Sequence, residues 1–199
     1  MFKSLAAVAL GATIAGAQSP PGYPPSTSNY LGVEFNSTII QPGHFVDAAL
    51  IVDQPLVFPA NASHSPGTKY QVFMLDLSIP SMADTADTGY PLVPGIAAND
   101  TTRLHWWQGN LTVQDGVLVN SSAPLAPWNE PAPQGSAAHY YAFYLFAQPA
   151  SWSPSEAILD GLYLDPTGDA RYNFSLVAVE EQVGAPVAAN YLLSLESST

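Results

Sequence analysis

Beyond about residue 30, short apolar runs alternate with clusters of turn residues along the chain. The runs are rich in Val, Tyr, Phe and Trp, and Pro, Gly, Asn or Asp bound them. This pattern predicts β-strands rather than helices. The nineteen prolines favour the same interpretation, because Pro breaks helices but is tolerated in turns and at sheet edges. The predicted strands occupy residues 49–52, 70–75, 105–113, 138–146 and 172–179.

Two short helices are also predicted. In residues 153–159, Ser153 is the candidate cap and Pro154 the first helical residue, a position that favours proline. Residues 81–87 are the second candidate. The predicted fold class is therefore mainly β, a sandwich-like body with long loops and a few short helices. Because the pattern contains no repeat and no linker, we expect one domain over residues 30–199.

The N-terminal residues have the composition of a secretory signal peptide. Lys3 precedes an apolar run of about ten residues, and Ala15-Gly16-Ala17 then forms a cleavage site of the Ala-x-Ala type. The run is shorter than the roughly 20 apolar residues of a transmembrane helix. We therefore expect a secreted protein, or one in the lumen of the secretory pathway, rather than an integral membrane protein. Residues 1–17 would be removed, and residues 18–29 would form an extended, Pro- and Ser-rich leader.

The charge of the chain argues against several classes of partner. Four basic residues stand against sixteen acidic ones, and the formal net charge is −12. Such a surface repels nucleic acid and anionic lipid headgroups. It also lacks the basic clusters that electrostatic docking to a membrane requires. The absence of cysteine excludes disulfides and thiol catalysis, although a secretory route would permit disulfides.

Six Asn-x-Ser/Thr sequons follow the predicted signal peptide, which predicts a glycoprotein with most of these sites in exposed loops. The six asparagines are Asn36, Asn61, Asn99, Asn110, Asn120 and Asn173. Asn110 is the weakest candidate, because it lies at the end of the His105 strand, where burial would block the glycosyltransferase.

Three segments place a polar residue inside or at the end of an apolar strand. They are residues 74–80, with Asp76 and Pro80; residues 103–110, with His105; and residues 131–143, with Pro133 and His139. The four histidines lack metal-ligand spacing, so no metal site is expected. Neither a Gly-x-Ser-x-Gly elbow nor a Gly-rich phosphate loop occurs. By itself, each histidine is more typical of a hydrogen-bonded core or edge position than of a ligand contact.

The order and spacing of these segments resemble the phosphatidylethanolamine-binding protein (PEBP) family. Residues 76–80 are similar to its Asp-Pro-Asp-x-Pro pattern, and residues 104–106 to its Leu-His-Trp strand. Residues 131–143 are similar to its Pro-x-Pro-x-x-Gly segment and the His-Arg-Tyr-Val-Phe strand that follows. A fourth match, in residues 171–174 and 184–191, resembles the family's Arg-x-x-Phe and Gly-x-Pro-Val-Ala-Gly-Asn segments.

The resemblance implies a β-sandwich with peripheral helices and, at one end, a pocket for a small anion or a phospholipid headgroup. Asp76, His105 and His139 match the aspartate and the two histidines of that pocket, and Pro80 and Pro133 match the prolines of its rim. Imidazole N–H groups would donate to the anion, while burial beside a carboxylate would keep the rings oriented or protonated.

Two departures from the family patterns affect the expected ligand. Ser78 replaces the second acid of the aspartate segment, and Tyr140 replaces the arginine that follows the second histidine. One negative and one positive charge are lost together. The changes favour a more open, less polar site for small carboxylates or acids with apolar tails.

Three functions remain open. The first is a secreted binding protein that holds a small anion or headgroup without turnover, with no cofactor and no catalytic residue, because no nucleophile has an adjacent base. The second, implied by the resemblance, is a regulator or inhibitor of an extracellular serine carboxypeptidase. The third is implied by the resemblance to fungal PEBP-like proteins, some of which are implicated in such pathways: an accessory protein or enzyme that couples carboxylated or anhydride intermediates in a natural-product pathway.

The secretion signal and the sequons make a prediction about the mass of the protein. The secreted chain should begin near Gln18 and should be heavier than its calculated mass until N-glycans are removed. Intact-mass measurement before and after enzymatic deglycosylation checks both points. A chain that stays inside the cell and still begins at Met1 would contradict the predicted localisation.

Overall fold

The computed structural model describes residues 18–59, 67–77, 102–133, 137–160, 163–164 and 171–195. Within them, eleven β-strands and two α-helices alternate with turns. The elements are β1 (Gly32–Phe35), β2 (Thr38–Ile39), β3 (His44–Phe45), β4 (Leu56–Phe58), β5 (Lys69–Asp76), β6 (Arg103–Gln114), β7 (Val117–Asn120), β8 (His139–Gln148), α1 (Glu156–Asp160), β9 (Tyr163–Leu164), β10 (Arg171–Tyr172), α2 (Leu176–Val183) and β11 (Ala188–Ser194).

The strands form a large sheet and a small one. The large sheet has the order β3-β11-β8-β5-β6-β10-β9, and β7 pairs with β6 outside this path. Its neighbouring strands are antiparallel except for β3 and β11, which are parallel. The small sheet has the antiparallel order β2-β1-β4. The mainly-β fold class predicted from the sequence is therefore confirmed.

Strand β8 is buried on both faces, and this places the two apolar clusters of the protein. Tyr141, Phe143 and Leu145 pack with residues of the small sheet in the main core. The alternate residues, Tyr144 and Phe146 among them, pack on the other face with apolar residues of α1 and α2. A strand buried on both faces has a continuous apolar sequence instead of an alternating one, which explains the pattern of residues 138–146.

Three of the five predicted strands are confirmed as β5, β6 and β8, and two predictions are wrong. The apolar run 49–52 overlaps a 3₁₀ turn, Ala48–Leu50, because the side chain of Asp47 accepts a hydrogen bond from the Ala49 N–H at 2.9 Å. In the run 172–179, strand β10 ends at Tyr172 and α2 follows. The Ser175 hydroxyl accepts from the Ala178 N–H at 3.2 Å and caps this helix. Local polar contacts therefore overrode the apolar pattern.

The helix predicted at residues 153–159 is present as α1, but it begins at Glu156. The carbonyl of Ser155 accepts from the Ile158 N–H at 3.0 Å, so Ser153 and Pro154 precede the helix. The helix predicted at residues 81–87 lies outside the described residues. In the described part of the chain, no helix is both long and apolar enough to span a bilayer.

The predicted leader, residues 18–29, is described in full and contains neither helix nor strand. It nevertheless contacts the body of the protein at several points. Ser19 is completely buried, and the Asn29 side chain donates to the Val187 carbonyl at 2.9 Å. Tyr23 packs on the apolar cluster beneath the helices, with its ring centroid 6.2 Å from that of Tyr140. The leader therefore covers part of the large sheet.

Asn190 of β11 joins the two sheets through its side chain, which is completely buried. The amide nitrogen donates to the carbonyls of Leu31 at 2.9 Å and Ile40 at 3.0 Å. The amide oxygen accepts from the Tyr191 N–H at 2.7 Å. Because Leu31 precedes β1 and Ile40 follows β2, one side chain satisfies backbone groups at both ends of the β1–β2 hairpin.

We expect Asn190→Leu to lower the free energy of unfolding by about 2–4 kcal/mol, because the Leu31 carbonyl and the Tyr191 N–H lose their side-chain partner and the Ile40 carbonyl keeps only the Tyr30 hydroxyl. Leucine keeps the branched shape of the asparagine side chain. The control is Asn29→Ala, which removes a single hydrogen bond of a side-chain amide at an exposed position and should cost about 1 kcal/mol or less. Urea unfolding monitored by tryptophan fluorescence measures both variants. Equal losses would show that Asn190 does not have this role.

Candidate functional site

Four neighbouring strands begin or end at the same edge of the large sheet. Strand β5 ends at Asp76, β6 begins at Arg103, β8 begins at His139 and β11 ends at Ser194. In the register of the sheet, Asp76 lies opposite both Arg103 and Tyr141, and Ser194 lies opposite His139. Directly opposed residues share a face of the sheet, here the face on which Tyr141 enters the main core. The topology therefore gathers polar side chains from four strands.

A hydrogen bond joins Asp76 and His139, which are 3% and 1% exposed. The Nδ1 of His139 donates to Oδ2 of Asp76 at 2.6 Å. A carboxylate acceptor places the proton of the neutral imidazole on Nδ1 and orients the ring. The hydroxyl of Tyr141 also hydrogen-bonds Asp76. Burial, and then the negative charge of Asp76, raise the pKa of Tyr141, so the phenol keeps its proton and donates.

His105 comes from an irregular part of β6. The pairing of β5 with β6 shifts register between Met74 and Leu75, which leaves His105 as the extra residue of a β-bulge. Its ring lies edge-on to the ring of Tyr141, with the centroids 5.4 Å apart. The ring of His139 stacks on the same tyrosine at 6.0 Å. Tyr141 thus contacts both histidines.

The contacts of His105 identify its tautomer. Nδ1 lies 2.9 Å from the carbonyl oxygen of Asn129. Because a carbonyl only accepts, Nδ1 carries the proton, and Nε2 of the neutral ring is an acceptor. Burial lowers the pKa of His105 to about 4, and the charge of Asp76 offsets this only in part. Of the two states expected for the buried rings, oriented or protonated, burial therefore favours a neutral, oriented ring for His105.

Two of the three basic residues outside the predicted signal peptide lie beside His105. Both arginines, Arg103 and Arg171, act on His105 electrostatically and contribute to its lowered pKa. One guanidinium N–H of Arg171 donates to the Pro127 carbonyl at 2.9 Å and, at 3.4 Å, to the carbonyl of His105. Arg171 therefore also attaches the residues before Asn129 to β6.

Three buried polar atoms near this edge have no hydrogen-bond partner among the described residues: Nε2 of His105, Nε of Arg103 and Oγ of Ser194. Native proteins satisfy nearly all buried polar groups. Three unpartnered atoms close together at one edge of the sheet are typical of a site where a ligand supplies the missing hydrogen-bond partners. We name this set of residues the strand-edge site: Asp76, Arg103, His105, His139, Tyr141 and Ser194.

The structure brings together Asp76, His105 and His139, as the sequence predicted. Pro133 is buried, and Pro80 lies outside the described residues. The ligand-binding roles of all five residues stay predictions. Arg103, Tyr141 and Ser194 also belong to the site, and the sequence did not predict them. One signal in the sequence could have identified an arginine of the site: basic residues are so few in this acidic chain that each one is a candidate for binding an anion. Among the described residues, no three His, Cys, Asp or Glu side chains are grouped to hold a metal ion.

A cavity of about 410 Å³ is lined by Tyr23 and Pro24 of the leader, by Leu75 and Leu77, and by the first residues of α2. No residue of the strand-edge site lines it. Its described lining also lacks any buried side-chain polar atom without a partner. The chemistry therefore favours the strand-edge site over this cavity.

Four of the six sequon asparagines are described, and they differ in exposure. Asn36 and Asn120 are exposed, whereas Asn110 and Asn173 are half-buried. The Nδ2 of Asn110, where a glycan would be attached, donates to the hydroxyl of Ser122 at 3.1 Å. Asn61 and Asn99 lie outside the described residues, and glycosylation at all six positions stays a prediction.

No family model matches the chain. A curated relative, phomoidride biosynthesis cluster protein N of Talaromyces stipitatus, is 30% identical over 206 residues, which cover 94% of this chain and 95% of the relative. The chain belongs to the family of that protein. A second protein of the same name, from a fungus identified only by strain, is 34% identical over 102 residues, covering 48% of this chain and 46% of that protein.

Solved structures show which fold this family member has. The carboxypeptidase Y inhibitor, solved with its cognate proteinase, aligns with a TM-score of 0.59 at 15% identity over 86% of this chain and 85% of the inhibitor. The phosphatidylethanolamine-binding protein of Plasmodium vivax aligns with a TM-score of 0.57 at 17% identity over 86% of this chain and 90% of that protein. At these identities the likeness is one of fold, and the predicted PEBP-like fold is confirmed.

The lowered pKa of His105 predicts that stability falls in acid. The unfolded chain takes up a proton near pH 6.5 and the folded chain near pH 4, so the unfolded state holds more protons between these values. Stability is therefore lost as pH falls through this window, by about 3 kcal/mol in full. We expect His105→Gln to remove this part of the pH dependence.

Urea unfolding at pH 7, 5.5 and 4 measures the effect as the difference in pH dependence between wild type and variant. His44→Gln is the matched control, because His44 is exposed in β3. It should keep the wild-type pH dependence. The same dependence in wild type and His105→Gln would contradict the assignment.

Proposed function

We propose that the protein binds a small organic acid at the strand-edge site. The observation that carries this proposal is the group of unpartnered buried atoms beside two arginines, in a chain with a formal net charge of −12. In such a chain, positive charge at one edge of the sheet creates a local potential that favours an anion. A guanidinium group binds a carboxylate or a phosphate better than an ammonium group does, because its N–H donors lie in one plane.

The available hydrogen-bonding groups favour a carboxylic acid. Arg103 offers a donor at Nε, and neutral His105 offers an acceptor at Nε2. A protonated carboxyl group matches both, since its carbonyl oxygen accepts and its hydroxyl donates. A carboxylate matches them equally well if His105 takes up a proton when it binds. One proton therefore accompanies the ligand in either case, and affinity should fall as pH rises.

The buried Asp76–His139 pair gives the proposed site an oriented imidazole. The Nδ1 of His139 donates to Asp76, and this bond fixes the tautomer and the orientation of the ring. This is the arrangement by which a carboxylate orients a histidine for general acid–base chemistry. Such chemistry supports the extended form of the proposal, in which the protein assists a reaction of a carboxylated or anhydride intermediate.

The name of the relative supports this extension, because it refers to a biosynthesis cluster for phomoidride. A family member that binds or couples acidic intermediates of a fungal natural-product pathway agrees with both the name and the site. We include secretion in the proposal on the basis of residues 1–17, whose composition is that of a signal peptide.

Inhibition of an extracellular serine carboxypeptidase is the second candidate function. It is favoured by the fold shared with the carboxypeptidase Y inhibitor. This function would use the Pro-rich leader, residues 18–29, to reach a partner protein. Because Ser19 and Tyr23 of this segment pack against the body of the protein, we consider organic-acid binding the better-supported function.

We expect Arg103→Gln and His139→Ala each to weaken the binding of acetate or maleate by about 1.5–3 kcal/mol, the usual value for a hydrogen bond to a charged group. Wild-type affinity should be higher at pH 5.5 than at pH 7.5. Isothermal titration calorimetry at both pH values, in buffers with different heats of ionisation, measures affinity and proton uptake together. Inorganic phosphate and phosphoethanolamine serve as the headgroup comparison.

Lys69→Gln is the control for loss of charge, because it removes the third basic residue, at the far end of β5 from Asp76. It should leave acid binding nearly unchanged. Equal affinities in wild type, Arg103→Gln and His139→Ala at both pH values would place the site elsewhere. Tighter binding of phosphoethanolamine than of either acid would identify a headgroup site instead. Inhibition of a serine carboxypeptidase by wild type and Arg103→Gln alike would favour the second candidate.

A further inference from the structure

A second cavity, of about 250 Å³, opens between the small sheet and the far part of the large sheet. It is lined by apolar residues of three strands: Leu56 and Val57 of β4, Trp106 and Leu111 of β6, and Leu118 and Val119 of β7. In the pairing of β5 with β6, Leu111 is opposite Tyr70, near the end of β5 that is remote from Asp76. The cavity shares no lining residue with the strand-edge site.

The described lining of this cavity contains no charged side chain. Gln108, a polar residue of the lining, has hydrogen-bond partners for both ends of its side-chain amide. The amide nitrogen of Gln108 donates to the carbonyls of Gly109 at 2.8 Å and Ser122 at 3.2 Å, and its oxygen accepts from Asn120 at 3.5 Å. A charged ligand would find no countercharge here, so the cavity selects against ions.

The indole nitrogen of Trp106 is the exception. Trp106 is 3% exposed, and its Nε1 is buried with no hydrogen-bond partner among the described residues. By contrast, the indole of Trp128, whose ring lies edge-on to that of Trp106, donates to the Val52 carbonyl at 2.8 Å. An indole N–H is a donor only, so its missing partner must be an acceptor.

The mouth of the cavity is apolar and open to solvent. Leu56 is 56% exposed and Val119 is 36% exposed, although both line the cavity. Exposed apolar side chains at the rim of a concave surface are typical of a binding site. They would be covered by the apolar part of a bound molecule.

We propose that this cavity binds a small uncharged apolar molecule that carries one oxygen acceptor, such as a ketone or an ester, whose oxygen accepts from the Trp106 indole. The hydrocarbon part packs among the leucine and valine side chains of β4, β6 and β7. Ligand pockets usually measure about 300–1,000 Å³, so a cavity of this size holds a small molecule or one arm of a larger one. The site and its ligand are independent of the organic-acid site.

The test uses the chain from Gln18 to Thr199 with ¹⁵N-labelled tryptophan, and the protein is titrated with 2-heptanone. The four tryptophans give four indole N–H resonances, which single substitutions assign. We expect a saturable shift of the Trp106 resonance, and affinity about two- to tenfold lower in Trp106→Phe, which keeps an aromatic ring but removes a neutral hydrogen bond. Val119→Trp fills the mouth from an exposed position and should lower affinity by about tenfold or more.

Trp152→Phe is the matched control, because the Trp152 indole nitrogen is also buried without a partner among the described residues but lies in the other apolar cluster. It should leave ketone binding unchanged, and so should Arg103→Gln. Thermal unfolding confirms that each variant is folded. The proposal is overturned if saturating ketone leaves the Trp106 resonance in place. It is equally overturned if Trp106→Phe and Val119→Trp both bind the ketone with wild-type affinity.

Discussion

The burial of β8 on both faces is the constraint on which the rest of this structure depends. One face of the strand requires the small sheet and the other requires the two helices, because Phe143 and Tyr144 would otherwise be exposed on opposite sides. The same burial extends to the polar start of the strand. His139 and Tyr141 must find hydrogen-bond partners there, and the carboxylate of Asp76 on β5 provides them for both.

The site follows from the way antiparallel strands meet at one edge. Asp76 and Ser194 are strand ends, whereas Arg103 and His139 are strand beginnings, so residues far apart in the chain become neighbours. A bulge adds His105 from β6. The desolvated edge then lowers the pKa of His105 and leaves it neutral between two arginines. A ligand that brings negative charge together with a proton, as we propose, would match the polar groups of this edge.

The family of phomoidride biosynthesis cluster protein N is recognised from the sequence of this chain, whereas the PEBP-like fold is recognised from its backbone structure. The relative shares sequence over nearly its whole length, which places this chain in a family named after a biosynthesis cluster. The solved structures have the same fold, but less than a fifth of their aligned residues are identical to those of this chain. Function is decided by the side chains at a site and not by the fold. The two arginines beside His105 are therefore more informative than the architecture around them.

The sequence by itself determined the fold class and the central strands. It also identified Asp76, His105 and His139 as residues that would lie close together. Long apolar runs and ordered motifs are properties of the chain alone, so they can be read without coordinates. Only the tertiary structure decided that residues 176–183 are helical and that His105 is neutral. It also decided that Arg103 and Ser194 join the site. The helix depends on a local cap, the Ser175 hydroxyl, which the apolar pattern of these residues concealed. The other outcomes depend on burial and on strand register, which bring together residues that are far apart in the sequence.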